Sequence, residues 1–290
     1  MKHRYYYLKS YSDMKLRMIT STYKYIVITL LTTFYNSYAF VFDRIHNKHT
    51  VSNAILVIGG AGKTGSEIIY QSLKNNMNVT TLVRSSNKYI KVPEGSSKTD
   101  NINKNVFLND YSYLNVVEGS VTSQNDIDEC FSNNNIEGVI VALGGNPNKV
   151  GKHMLENGTK RIIESMKKYD CNKISIITSV GTGDSYEQAP LFFKGLMATL
   201  YRDMFVDKNN QEKLFDSGEI GHNLNWCIIR PGGLTLGPKT DTNIIPTNDT
   251  IGSISRADVA KFCIESISDS FEYTKQKVSI SNLNAIRDHN

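Results

Sequence analysis

Three glycines spaced as Gly60-x-Gly62-x-x-Gly65, with Gly59 just before them, follow directly on the apolar run Ala54-Ile55-Leu56-Val57-Ile58. Side chains are absent where a backbone must approach a pyrophosphate closely, and the N-terminus of a following helix offers N–H donors and the positive end of its dipole. A glycine string is weak on its own, but a strand before it and a helix from Ser66 to Asn75 after it make a dinucleotide site the expected reading. Lys63-Thr64 admits a rival, the phosphate loop of a nucleotide hydrolase. That motif needs glycine at position 57, where this chain has Val57, and no acidic strand end for magnesium follows. The next chemically informative position is Arg84, with Ser85 and Ser86, at the end of a second apolar run. An acid there would bind the ribose hydroxyls of NAD, whereas a guanidinium forks onto the 2′-phosphate of NADP and serine hydroxyls add donors. The competing reading of Arg84 is an ordinary solvent-facing arginine.

These residues need a scaffold, and the pattern around them supplies one. Short apolar runs rich in Val and Ile fall at 54–58, 79–83, 138–143, 174–178 and 226–229, as expected of strands buried on both faces. A third strand is expected somewhere within Asn103 to Val117. Between the runs lie helical periods, such as Leu155, Ile162, Ile163 and Met166, and later Val259, Phe262, Cys263 and Ile267. The alternation predicts an α/β fold: a Rossmann-type doubly wound parallel sheet in a three-layer αβα arrangement over residues 53–290. Residues 85–105, rich in Ser, Asn, Lys and Gly, read as a surface insertion.

The order Ile58-Gly-Gly-Ala-Gly-Lys-Thr-Gly65, Leu82-Val-Arg84, Glu118-Gly-Ser120, Ala142-Leu-Gly-Gly145, Thr178-Ser-Val-Gly181 and Arg230-Pro-Gly-Gly233 resembles the atypical short-chain dehydrogenase/reductases. Within them it is most similar to the NAD(P)-binding branch of biliverdin reductase B-like and flavin reductase-like proteins, over about residues 54–282. The resemblance implies that Gly60, Gly62 and Gly65 hold the pyrophosphate with Thr64 at the helix start. It implies that Arg84 and Ser85 take the 2′-phosphate, and that Ala142, Leu143 and Gly144 line the adenine-ribose side. Ser179 would face the nicotinamide, and Pro231 with Gly232 would pack against its carboxamide. Ser120 departs from the family, whose members usually place Asp near the adenine, though a hydroxyl still hydrogen-bonds.

A larger departure concerns catalysis. The best-known branch carries Tyr-x-x-x-Lys on the helix after the fifth strand, a general-acid arrangement. The strings Tyr5 to Lys9 and Tyr11 to Lys15 match it only outside that helix, and Asp207 and Gln211 are expected to stand at the two positions. Lys208 is a fallback acid or ribose ligand, against the reading of a solvated helix-face lysine. Phe192, Phe193, Met197 and Phe205 are read either as an acceptor pocket or as core. Two functions follow. One is NADP(H)-dependent reduction of a conjugated small-molecule acceptor of the quinone, flavin or tetrapyrrole kind, with Ser179, Asp207 and Lys208 as candidate catalytic residues. The other is an NADP(H)-binding scaffold or redox-responsive assembly factor without turnover.

Composition narrows the rest. The chain has 290 residues and a net charge of +5. Residues 1–50 hold eight Lys and Arg against Asp13 and Asp43, so the body is close to neutral and gives no electrostatic basis for nucleic-acid binding. Cys130, Cys171, Cys227 and Cys263 are too scattered for a metal site and read as small core hydrophobes. In the leader, residues 1–52, the basic stretch precedes the nine apolar residues Ile26 to Phe34, and small residues stand at Ser37 and Ala39. That is the layout of a secretory signal, too short to cross a bilayer of about 20 helical residues. The acid-poor stretch Val41 to Asn53 resembles a transit segment, so import by the secretory route into a secondary plastid is expected. A membrane anchor, or an over-long start with a cytosolic product, are the alternatives. No stable membrane span is expected in the body, and no metal.

Overall fold

The computed structural model describes residues 54–85, 89–132, 134–145, 151–240, 244–246 and 251–282. The leader readings therefore lie outside the described residues.

The valine- and isoleucine-rich runs form strands β1 (Ala54–Ile58), β2 (Asn78–Val83), β4 (Ile136–Val141), β5 (Lys173–Ile177) and β6 (Asn225–Pro231). The third strand is β3 (Leu114–Glu118), and the chain adds β7 (Gly233–Thr235), β8 (Ile244–Pro246), β9 (Ser253–Ser255) and β10 (Gln276–Asn282). Seven strands run parallel in the order β3-β2-β1-β4-β5-β6-β10, and β8 joins β10 antiparallel at the far edge. β1 pairs with both β2 and β4, so the strand order reverses between them, at the crevice where such sheets bind ligands. β7 pairs with β9 in a separate two-stranded ribbon.

The helices are α1 (Lys63–Lys74), α2 (Glu94–Asp100), α3 (Gln124–Ser132), α4 (Met154–Lys168), α5 (Leu191–Ala198), α6 (Arg202–Lys213) and α7 (Arg256–Glu265). Alternate residues of β1 feed two separate cores. Ile55 and Val57 pack with Ile68, Ile69 and Val259 of α1 and α7. Leu56 and Ile58 pack with Ile127, Ile162 and Ile163 of α3 and α4. This two-sided burial gives the three layers expected from the sequence, and each fully buried Ile or Leu contributes roughly 1.5–3 kcal/mol. All four cysteines are free and buried.

The segment read as a surface insertion is different in the structure. Ile90 and Val92 are 2% and 3% exposed and belong to the core under α1. Lys91 forms an antiparallel bridge with Phe107. α2 then docks on Glu67 of α1, whose buried carboxylate accepts from the N–H groups of Gly95 (2.9 Å) and Ser96 (3.2 Å) and from the Ser96 hydroxyl (2.5 Å). Burial pushes the Glu67 carboxyl up from its usual range, against the pull of these donors. One charged residue on α1 thus does what an apolar stripe would do elsewhere. Among the described residues no helix is long and apolar enough to cross a membrane.

Candidate functional site

The glycine loop is shaped by close packing on three sides. Gly59 has φ +90°, and a Cβ on it would lie 2.5 Å from the Ala142 carbonyl oxygen of the neighbouring β4 loop. A Cβ on Gly60 would meet the Thr81 hydroxyl at 2.2 Å, and one on Gly65 would meet the Gly59 carbonyl oxygen at 2.2 Å. Gly60 and Gly65 therefore let loop, sheet and helix close on each other, while Gly59 and Gly62 line the cleft itself. α1 begins with Gly62 at its N-cap, with no side-chain cap and no acid in its first turn. The first N–H groups of a helix have no intrahelical partner, so this end offers donors and a positive dipole end to the cleft.

The cleft has a volume of about 990 Å³ and lies along the C-terminal ends of β1, β2, β4 and β5. Lys63 and Thr64 line it at the start of α1, Arg84 and Ser85 at the end of β2, Ser120 after β3, and Ala142, Leu143 and Gly144 after β4. Ser179 after β5 and Lys208 of α6 line its other end. Its described lining carries four cations, Lys63, Arg84, Lys208 and Arg256, and no aspartate or glutamate. Arg84 and Ser85 are exposed at the rim, whereas Ser179 is half-buried. Ser120 shares a 2.9 Å hydrogen bond with Thr122, and Asp126 fixes the loop by accepting from the Ser120 N–H at 2.7 Å.

Two of the residues expected at the carboxamide are placed elsewhere. Pro231 and Gly232 are buried and outside the cleft lining; a Cβ on Gly232 would meet the Gly252 carbonyl oxygen at 2.0 Å. Gly232 instead admits the β9 segment.

On α6 the register differs from the expected one by about one turn. Asp207 is buried, and its carboxylate accepts from the N–H groups of Leu155 (2.8 Å) and Glu156 (3.0 Å), capping the start of α4. Gln211 donates to the Thr159 hydroxyl at 2.8 Å. Neither lines the cleft. The cleft-lining pair at four-residue spacing is Met204 and Lys208. Lys208 is no solvated surface lysine: it is 7% exposed, and its ammonium donates to the Thr178 carbonyl at 2.7 Å. Burial pushes it down to about 8, with Glu212 and Asp207 pulling the other way.

Beneath Ser179 lies a polar knot. Arg230 of β6 grips Glu212 of α6 through two bonds, at 3.1 and 2.6 Å, and both side chains are almost fully buried. The same carboxylate accepts from the Thr178 hydroxyl at 2.7 Å, and the single proton of the Thr182 hydroxyl is shared between that carboxylate (2.5 Å) and the Ser179 carbonyl (2.7 Å). A bidentate, multiply bonded pair of this kind fixes geometry as well as charge. It ties the Thr178–Thr182 turn to two elements at once.

Of the aromatic stripe, Met197 and Phe205 form a small core with Ala189, Phe193 packs on it, and Phe192 is 80% exposed. The apolar side chains facing the cleft near Lys208 are instead Met154 and Met204. Arg256 and Leu234 also line the cleft and were not expected from the sequence. An arginine opening a helix, where its charge opposes the dipole, was the available signal.

The computed architecture has close counterparts. The anaerobillin reductase ChuY of Escherichia coli O157:H7 superposes with a TM-score of 0.58 at 19% identity, covering 79% of this chain and 97% of that one. A short-chain dehydrogenase/reductase of Veillonella parvula in complex with NADP gives a TM-score of 0.58 at 16% identity, over 80% and 96% of the two chains. At such identities the likeness concerns the fold alone, the Rossmann-type parallel sheet between two helix layers expected from the sequence. In sequence, an uncharacterised chloroplastic protein of Arabidopsis thaliana is 28% identical over 218 residues, 73% of this chain and 71% of its own length. A family model described as NAD(P)H-binding matches residues 59–270, which spans the glycine loop, all of the cleft lining but Ile58, and α7. By that match this chain belongs to the NAD(P)H-binding family.

Proposed function

We propose that the chain is an NADPH-dependent reductase of a flat, conjugated acceptor of the quinone, flavin or tetrapyrrole class. The observation that carries the choice of NADPH is Arg84: a guanidinium, not a carboxylate, leaves β2 at the rim of the cleft, beside Ser85. The glycine cradle and the uncapped start of α1 suit a diphosphate, since Gly59 and Gly62 bring bare backbone to the cleft where the helix start offers its N–H groups. Gly59, Gly62, Lys63 and Thr64 would hold that group; Ser120, Ala142, Leu143 and Gly144 would flank the adenosine half. Ser179 and Lys208 would face the nicotinamide half, the Arg230–Glu212 knot fixing the turn that carries Ser179.

When bound, the nucleotide supplies a hydride. This chain's contribution to proton transfer is Lys208, whose buried ammonium holds a proton at Nζ and is pushed down by burial to about 8, within the useful range for a general acid. Among the described residues lining the cleft there is no tyrosine, and Met204 stands four residues before Lys208. Acceptors that take hydride readily and need little proton assistance fit such a site best. The ChuY name, anaerobillin reductase, supports a conjugated acceptor of this type.

The test is NADPH oxidation followed at 340 nm with the purified chain and a panel of flavins, quinones and tetrapyrroles. Oxidation by at least one acceptor is expected. Tight NADPH binding with no oxidation across the panel would reject the reductase and favour a nucleotide-binding scaffold. For location, the basic, signal-like leader and the chloroplastic relative support delivery to a plastid through the secretory route. A reporter fused to residues 1–53 is expected to leave the cytosol; a diffuse cytosolic signal rejects that delivery.

A further inference from the structure

Arg256 is a cleft cation that no part of the cofactor reading uses. It is the first residue of α7, and its Nη1 donates to the carbonyl oxygens of Leu234 and Thr235 of β7, at 3.1 Å each. Those bonds fix the guanidinium by one nitrogen and leave its remaining N–H groups available. Among the described residues Arg256 has no carboxylate partner. The nearest acid on its own helix, Asp258, is taken by the Ser255 hydroxyl at 2.8 Å and by the N–H and hydroxyl of Thr240 at 2.8 and 2.9 Å. Burial pulls the guanidinium below its usual value, and the charge of Glu67 opposes this only in part.

A partly desolvated arginine at a helix start is unfavourable twice over, through lost hydration and through the helix dipole. An anion in the cleft would relieve both. Arg84 leaves β2, while Arg256 is held by the carbonyls of β7, in the separate β7–β9 ribbon that follows β6. With the 2′-phosphate assigned to Arg84 and the diphosphate to the glycine loop, the Arg256 cation is left over.

We propose that Arg256 receives an acidic side arm of the acceptor, a carboxylate or a phosphate, so that the protein selects anionic conjugated acceptors over neutral ones. The proposal rests on the reductase reading for the identity of the second ligand. Arg is suited to the task because its planar fork pairs with either oxyanion.

Matched pairs differing only in the acid test it: FMN against riboflavin, and biliverdin against its dimethyl ester. Equilibrium binding to the NADP⁺-saturated chain is read by fluorescence or absorbance, independently of turnover. In the unaltered chain each acid is expected to bind at least about tenfold more tightly than its neutral partner, as for a hydrogen bond to a charged group. Arg256→Met and Arg256→Gln are both expected to bring each pair within about twofold by weakening the acid, with NADP⁺ affinity nearly unchanged. The glutamine variant retains a donor for the β7 carbonyls, so it separates loss of charge from disturbance of β7. Absence of acid preference in both pairs overturns the proposal, whether or not the neutral compounds bind. So does retention of the preference in Arg256→Gln. An equal loss of NADP⁺ binding in both variants would place Arg256 on the cofactor's diphosphate instead. If the acid preference holds while NADPH is never oxidised, the reductase reading fails and the assignment of Arg256 stands.

Discussion

Helices α1 and α4 both leave the C-terminal edge of the sheet, α1 after β1 and α4 after β4, yet their first turns are treated in opposite ways. α1 starts bare, on a glycine, with no capping side chain and no acid. α4 starts against the buried carboxylate of Asp207, brought from 52 residues away, which accepts from two of its N–H groups. Every helix start presents the same orphan donors and the same positive end. At α4 the chain supplies its own anion and the end is spent on stability; at α1, on the reading proposed above, the bare end is left to a ligand.

The strongest way to break this contrast is Gly65→Val. A Cβ there collides with the Gly59 carbonyl, so α1 must shift away from the loop. Misplacement on the scale of an ångström costs about 100-fold in a positioned site, and NADPH affinity by fluorescence titration is expected to fall by at least about that much. Asp207→Ala addresses the other helix. Two charge-assisted bonds to buried N–H groups disappear, and the expected destabilisation is about 2–4 kcal/mol in a denaturant melt. NADPH affinity is expected to hold, and a parallel loss of both would mean that the two helix starts are not independent.

Arg84→Glu acts within the ligand side alone. It is expected to weaken NADPH by about 10- to 100-fold and NADH far less, the scale of a charge-assisted hydrogen bond. Equal losses for the two nucleotides would remove Arg84 from the 2′-phosphate. The smallest expected effect concerns pH. Lys208 is cationic below about 8 and neutral above it. A cation favours the anionic nucleotide, so affinity is expected to decline as pH rises through about 8, and Lys208→Met should flatten that decline. A profile unchanged by the substitution would assign the titration to another group.

Legibility followed the same division. The glycine loop could be read because its residues are contiguous and their requirement, space for backbone, is written in residue type. The central strands could be read because burial on both faces fills them mostly with Val, Ile and Leu. The phase of α6 could not. Asp207, Lys208, Gln211 and Glu212 are all buried, while Val206 is 46% exposed, so the apolar period points away from the face that matters. What might have corrected it is Arg230, a charge inside the apolar strand Trp226-Cys-Ile-Ile229, since a buried guanidinium demands a carboxylate and Glu212 is within reach of it. The 85–105 segment failed for a related reason. α2 has no apolar residue at all, and what docks it is Glu67, a polar anchor that hydrophobic periodicity does not register.

The Arg230–Glu212 pair carries a consequence for descent. Removing Arg230 strands the Glu212 charge in a dry interior at a cost of about 3–5 kcal/mol, and removing Glu212 leaves the buried guanidinium only Asp184, which its Nη1 also holds, whereas replacing both by a well-fitted apolar pair can be nearly neutral. Evolution therefore meets a valley between two habitable states, and the two positions are bound to drift together or stay fixed. In a set of related sequences they would covary although 18 residues separate them. The hydroxyl of Thr178 would join that group, because it loses its acceptor when the glutamate goes. A lineage in which position 212 turned apolar while position 230 remained arginine would have to hold that charge on Asp184 alone.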